Sequence, residues 1–438
     1  MTSFLWLAAV TGALSLLTPC VFPMIPITVT YFGGNTNQGR RGVLFDATLF
    51  ASAIIVTFTA LGLGLALLVG ASGLARLAAN PWVNIAIGIS FVAFALNLMG
   101  VWEIRLPFMA RTLTSVDAAA RRRPTSAAAA VLVGFGFTLA SFTCTAPFVG
   151  PLLVSAARGD WHRPLAGMLV FSIVFSAPFF ILAVLPGWMR HLPKPGSWMT
   201  SLRFLVGLAE LGASIKFFSN ADLVWRTGEI SRNAIVASWV ALALVGALYL
   251  IVPIMIARGA RRLSLARAIA AAACLAIAFG VAMGLRGRSL GELEAFLPPQ
   301  DISSQADAFA ASNPGHVDGQ LGWILNNQPA ALAQAKRSGK LVLIDFTGYT
   351  CTNCRWMESN IFARPDVAAA LRGYVLSRLY TDGQGPLYEK QQDWQEQQFG
   401  TVALPLYAIV DANGRTVRTF AGLTRSPAEF LAFLGAIT

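Results

Sequence analysis

Eight apolar stretches dominate the first two thirds of the chain: Ser3–Tyr31, Val43–Val69, Trp82–Trp102, Ala127–Ala157, Leu165–Trp188, Ser201–Trp225, Ala234–Ile256 and Ala266–Leu285. Each is long enough to cross a bilayer as a helix, which predicts eight spans. Glu210 and Lys216 interrupt the sixth and are expected to pair in the bundle interior or to snorkel, a structural role. After Leu285 the pattern changes. Gly287 to about Gly319, with Pro298-Pro299 and Ser303-Ser304, reads as a linker. Beyond it, short apolar runs alternate with polar helical ones, as in a soluble α/β domain. Pro329–Ser338 and Leu387–Gln398 predict helices. Leu341–Phe346, Tyr374–Tyr380 and Leu406–Val410 predict strands, and Asp411-Ala-Asn-Gly414 a hairpin turn leading into Arg415–Phe420. Ser426-Pro-Ala-Glu429 has the capping-box form and starts a last helix. The domains are therefore 1–286 in the membrane, 287–319 as linker and 320–438 as a soluble domain.

Composition agrees with this division. The 438 residues are 55% hydrophobic and 12% charged, with a mean hydropathy of +0.61. That balance fits a polytopic membrane protein rather than a soluble one. The net charge of +12 does not point to nucleic acid, because the positive residues sit mostly in short loops between spans. Loops one, three, five and seven carry fourteen Lys and Arg, from Arg40 and Arg41 to Arg267. The other face carries seven: Arg76, Arg158, Arg163, Arg226, Arg232, Arg286 and Arg288. The positive-inside rule puts the first set in the cytoplasm, which leaves both termini and the soluble domain outside. Met1–Leu17 lacks a basic n-region and is expected to be a first span, not a signal peptide.

The candidate chemistry is sulfur. Of five cysteines, Cys351 and Cys354 form a C-x-x-C between the predicted strand and a helix expected over Arg355–Phe362. At a helix N-terminus the dipole and free N–H groups favour a thiolate. A second C-x-x-C or a His pair, which zinc would need, is missing, since His162, His191 and His316 are scattered. Asp345, six residues before Cys351, occupies the place of a buried carboxylate that tunes cysteine pKa in thioredoxin-like folds. Pro405 occupies the place of their cis-proline. The last 120 or so residues thus resemble thioredoxin.

Two membrane stretches repeat a pattern. Cys20 is flanked by Pro19, Pro23 and Pro26. Cys144 is followed by Pro147 and Pro151. Closely spaced prolines break a membrane helix, and broken helices are tolerated only against protein or a water-filled cavity. The copies are three spans apart, so they insert in opposite senses, as inverted repeats of about 1–125 and 126–230 followed by two extra spans. Cys20 and Cys144 are expected to meet as a redox pair, and Cys274 to be packing.

Leu-Thr-Pro-Cys-Val-Phe-Pro-Met-Ile-Pro, at positions 17–26, and Cys144-Thr-Ala-Pro resemble the first and fourth spans of the DsbD family of membrane thiol:disulfide interchange proteins. Eight spans followed by a thioredoxin-like domain match that family's order. The resemblance implies a protein-disulfide reductase of the bacterial inner membrane. Electrons would pass from cytoplasmic thioredoxin to Cys20 and Cys144, then to Cys351 and Cys354, and on to periplasmic disulfide proteins. Cytochrome c maturation or disulfide isomerase recycling would be the setting. Redox cysteines alone are implied, with no cofactor and no metal. Asp345 and Glu358 match acidic residues that flank the family's soluble active site, and Pro405 its cis-proline. Thr350 stands where an aromatic is usual. The family's N-terminal immunoglobulin-like domain is not seen here, so another protein is expected to replace it or the soluble domain to meet clients directly. A quinone-linked disulfide-generating oxidase and a solute or metal transporter with an attached redox domain are the alternatives.

Overall fold

A computed structural model describes residues 2–16, 21, 40–101, 131–132, 134–138, 141, 145, 162–184, 197–225, 227–256, 265–298, 317–318 and 321–435. Among the described residues the apolar part holds seven helices: α1 (Thr2–Ser15), α2 (Arg40–Ala79), α3 (Pro81–Leu98), α4 (His162–Val184), α5 (Ser197–Trp225), α6 (Arg232–Ile256) and α7 (Leu265–Ala282). Four stretches among the described residues are long and apolar enough to cross a membrane: Leu44–Gly64, Pro81–Leu98, Arg232–Val252 and Leu265–Arg286. The predicted spans two, three, seven and eight fall on these. The fourth lies largely outside the described residues, as do Cys20, Cys144, Pro19, Pro23, Pro26, Pro147 and Pro151.

The chain divides into two compact units, Met1–Leu74 with Phe91–Leu211, and Ala75–Ser90 with Gly212–Thr438. In the first, α1 and α4 pack closely. A Cβ on Gly12 would come within 2.7 Å of the Phe171 carbonyl oxygen, so only glycine lets the two backbones approach this far. Phe50 and Phe58 of α2, Phe137, and Phe171, Phe175 and Phe179 of α4 fill the centre. Phe58 meets Phe175 edge to face at 5.2 Å. With no water to expel, such packing holds membrane helices together by close contact.

In the second unit α6 packs along α7, and Trp239 donates to the Gly212 carbonyl of α5 at 3.1 Å. The predicted linker is structured where it begins. A 3₁₀ helix, Gly291–Phe296, carries Glu294 back to Arg232 at the start of α6, through Nε–Oε1 at 2.7 Å and Nη2–Oε2 at 2.9 Å. Ala295 of the same turn joins the core of the soluble domain. Residues 299–316 lie outside the described residues.

The soluble domain is a six-stranded sheet between two helical layers. Its strands are β1 (Val317–Asp318), β2 (Trp323–Leu325), β3 (Val342–Thr347), β4 (Val375–Tyr380), β5 (Leu406–Val410) and β6 (Thr416–Ala421). Their order is β1-β2-β4-β3-β5-β6, parallel across β2-β4-β3 and antiparallel elsewhere. The helices are α8 (Gln328–Ser338), α9 (Thr352–Met357), α10 (Pro365–Leu371), α11 (Pro386–Phe399) and α12 (Pro427–Gly435). Successive residues of β3 face opposite layers. Val342, Ile344 and Phe346 join the core against α8 and α11, whereas Leu343 joins Trp356, Met357 and Phe430. Asp345 and Thr347, of the same parity as Leu343, therefore face the α9 layer. The short strands β1 and β2 were not anticipated. The helix expected from Arg355 instead begins at Thr352 and passes into a π-helical turn, Glu358–Phe362. The hairpin turn at 411–414 forms as expected: Asp411 Oδ1 accepts from Asn413 and Arg415, both at 2.8 Å, and Gly414 takes φ 82°.

Candidate active site

The end of β3 turns through Gly348-Tyr349-Thr350 into Cys351, the N-cap of α9. Cys351 and Cys354 form a disulfide with their Cα atoms 5.3 Å apart. Cys351 Sγ also accepts from the Cys354 backbone N–H at 3.1 Å. Cys354 is buried and Cys351 only partly so. This is the geometry of a dithiol with one accessible sulfur and one protected sulfur, suited to thiol–disulfide exchange. The Leu404–Pro405 peptide is cis, at the entrance to β5.

A buried four-charge cluster lies in the layer that Asp345 faces. Asp345 and Arg378 are register partners on β3 and β4, and Arg378 Nε meets Asp345 Oδ2 at 3.1 Å. Arg355, directly after Cys354, holds Glu358 at 2.8 Å, and Arg378 approaches Glu358 from the other side at 3.6 Å. Arg355 also donates to Thr347 Oγ1 and the Gly348 carbonyl, tying the cluster to the loop before Cys351. The Arg378 guanidinium stacks 4.5 Å from the centre of the Trp323 ring. Burial pushes the Asp345 carboxyl up to about 6, with the Glu358 charge adding and the two arginines opposing. Burial among these groups also holds the Tyr407 phenol well above its usual value. The two predicted acids thus share two arginines that sequence reasoning missed. Arg378 had left a signal, as the only charge in a strand of otherwise apolar and neutral polar residues.

A third carboxylate, Asp382, was also missed. It follows β4 and accepts from the Tyr349 N–H at 2.7 Å, the Thr350 N–H at 2.9 Å and the Thr350 hydroxyl at 2.8 Å. A Cβ on Gly348 would lie 2.6 Å from Asp382 Oδ2, so the loop requires glycine there. Burial raises the Asp382 carboxyl, and the Thr350 and Tyr349 hydrogen bonds oppose that shift. Thr350, in place of the expected aromatic, supplies one of these bonds. Tyr349 stacks on Tyr380 at 4.1 Å.

Comparison with known proteins agrees with both halves. Residues 1–221 match the cytochrome C biogenesis protein transmembrane domain, and residues 328–438 a thioredoxin-like domain. The thiol:disulfide interchange protein DsbD 2 of Pseudomonas aeruginosa is 32% identical over 84% of this chain and 60% of its own length. The thiol:disulfide interchange protein DsbD of Vibrio cholerae is 27% identical over 82% of this chain and 55% of its own length. The chain therefore spans somewhat over half the length of these relatives. With a membrane domain that matches over 1–221 and a C-terminal thioredoxin-like domain, the chain is a membrane protein and belongs to the cytochrome C biogenesis transmembrane, or DsbD, family.

Proposed function

We propose that this protein is a protein-disulfide reductase that moves electrons outward across the bacterial inner membrane on cysteine pairs, without a cofactor. The observation that carries this reading is the Cys351–Cys354 disulfide, with one sulfur accessible at the N-cap of α9 and the other buried. In the first step the thiolate of cytoplasmic thioredoxin attacks the Cys20–Cys144 disulfide. Thioredoxin's second thiol resolves the mixed disulfide. Thioredoxin leaves oxidised and the membrane pair becomes a dithiol. A membrane thiolate then attacks the Cys351–Cys354 disulfide, the second membrane thiol resolves that mixed disulfide, and the two electrons pass to the soluble domain. Finally Cys351 attacks a disulfide in a periplasmic partner and Cys354 displaces the reduced product. Thioredoxin lies near roughly −270 mV and disulfide-forming periplasmic oxidants near roughly −120 mV, a two-electron drive of about 7 kcal/mol.

Two ion pairs support this orientation. Asp393 of the soluble domain pairs with Arg76, and Glu294, at the start of the linker, pairs with Arg232. Both arginines belong to the face with fewer positive charges, the face that the positive-inside rule assigns to the periplasm.

The test is the redox state of Cys351–Cys354 in cells, read by alkylation and gel shift, in the wild type and in Cys20→Ala. A pair mostly reduced in the wild type and oxidised in the variant is expected. An unchanged pair would mean that the soluble domain draws its electrons elsewhere.

A further inference from the structure

α5 presents its last turns to the redox loop. Leu223 and Val224 form one buried cluster with Tyr349, Tyr380 and Tyr388. Tyr349 stands two residues before Cys351, and its N–H is held by Asp382. Lys216 lies seven and eight residues before Leu223 and Val224, so it shares their helix face. It is buried, and its ammonium has no hydrogen-bond partner among the described residues. The charges acting on it are Arg355 and Asp382. Arg355 is already matched by Glu358. Asp382 accepts from two N–H groups and a hydroxyl, and the charge that reaches it from its own domain is that of Arg355, which Glu358 already shares. Among the described residues neither the buried Lys216 ammonium nor the buried Asp382 carboxylate is in an ion pair, and they stand on the two sides of one contact. Leaving either charge without the other is costly in a low-dielectric setting. Arg76, at the end of α2, adds a peripheral contact to Asp393 at 2.7 Å.

We propose that the Lys216–Leu223–Val224 face of α5 is the seat on which the redox loop of the soluble domain docks, and that Lys216 supplies there the counter-charge to Asp382, so that seating sets the reactivity of Cys351. This deepens the reductase reading and rests on it for its purpose, the loading of the soluble domain. Off the seat, the Asp382 charge close to Cys351 is opposed only by Arg355, whose charge Glu358 shares, and this disfavours the thiolate. On the seat the charge is balanced and the nucleophile is released. The Tyr349 side of the loop is covered in the same arrangement. The seat is thus specific to this loop by an apolar contact and one charge pair together.

The experiment measures alkylation of Cys351 against pH in the purified full chain, reduced chemically, with labelling resolved by peptide mass spectrometry. Lys216→Met should raise the midpoint by about half a unit or more, and Asp382→Asn should lower it. The double variant should return close to wild type, and Lys216→Arg should leave the midpoint in place. Leu223→Ser with Val224→Ser, which keeps both charges but removes the apolar contact, should shift the midpoint upward as Lys216→Met does. This pair keeps the test decisive if Lys216→Met does not fold. A midpoint unmoved by Lys216→Met or by the serine pair overturns the proposal. So does a double variant no closer to wild type than its parents. No thioredoxin is present in this assay, so its failure is separate from that of the reductase reading, which the Cys20→Ala comparison decides.

Discussion

Asp345 and Arg378 face each other across neighbouring parallel strands, with Oδ2 and Nε 3.1 Å apart and both side chains largely buried. The carboxylate that thioredoxin-like folds keep behind their cysteines is here one of two, matched by two guanidinium groups. This arrangement fixes the direction of several effects.

Replacing both acids, Asp345→Asn with Glu358→Gln, is expected to lower the Cys351 pKa. Two carboxylates that disfavour the thiolate are removed, and Arg355 and Arg378 are left as uncompensated positive charge. Both changes favour the anion, so the shift should exceed that of either single variant. A titration of thiolate absorbance reads it. No change, or an upward shift, would remove these acids from the tuning of the site. Stability should fall in the same variant, because two buried arginines lose their partners, by several kcal/mol in total.

The pH dependence of stability follows from Asp345. Its folded-state value of about 6 lies above the ordinary carboxylate value near 4. The folded protein therefore binds the proton more tightly than the unfolded one across that interval. Stability contributed by this group is full below about 4 and is lost as pH rises through about 6. Denaturant midpoints of the thioredoxin-like domain within the full chain, measured between those pH values, should fall as pH rises. Asp345→Asn should flatten that slope. A slope that survives the substitution would assign the proton to another group.

Gly348→Ala tests the loop. Its Cβ would sit 2.6 Å from Asp382 Oδ2, and the carboxylate cannot yield without releasing the Tyr349 and Thr350 N–H groups. A cost of about 1–3 kcal/mol is expected, as for other overpacked sites. Amide exchange at residues 349 and 350 should accelerate. Retained protection at both amides would show that Asp382 moves without opening the loop.

The chain shows unevenly how much of this is written locally. Four of the eight predicted spans, the C-x-x-C between strand and helix, the hairpin at Asp411–Gly414 and the capping serine of α12 depend on neighbours in sequence, and they were legible. Glu429 donates its N–H to Ser426 Oγ at 3.3 Å, as the capping pattern requires, but its carboxylate accepts from Thr424. The arginine pair and Asp382 were not legible, because their meaning comes from strand register: Arg378 matters only once β4 lies beside β3. The seat on α5 was hidden for the same reason. Lys216 looked like a membrane lysine in search of Glu210, and only the folded unit places it where Asp382 and Arg355 act on it. The start of the linker read as punctuation because Glu294 is 62 residues from Arg232.

Arg232→Ala should therefore do more than remove a surface charge. Both side chains of the pair are about nine-tenths covered. Arg232 also donates to the Gly284 carbonyl at 3.0 Å, and Glu294 accepts from the Leu290 N–H at 3.0 Å. The pair thus joins the start of α6, the turn just after α7 and the 3₁₀ turn whose Ala295 packs into the thioredoxin-like core. Truncating the arginine removes the two-pronged guanidinium contact from a buried carboxylate, at a cost of about 3–5 kcal/mol. The loss should appear locally, as faster proteolysis and amide exchange between residues 287 and 297, with the C-x-x-C helix itself protected. Arg232→Lys keeps the charge but not the two-pronged contact, and should recover only part of the protection. Unchanged exchange across 287–297 in Arg232→Ala would show that packing of Ala295, rather than the ion pair, holds the turn in place.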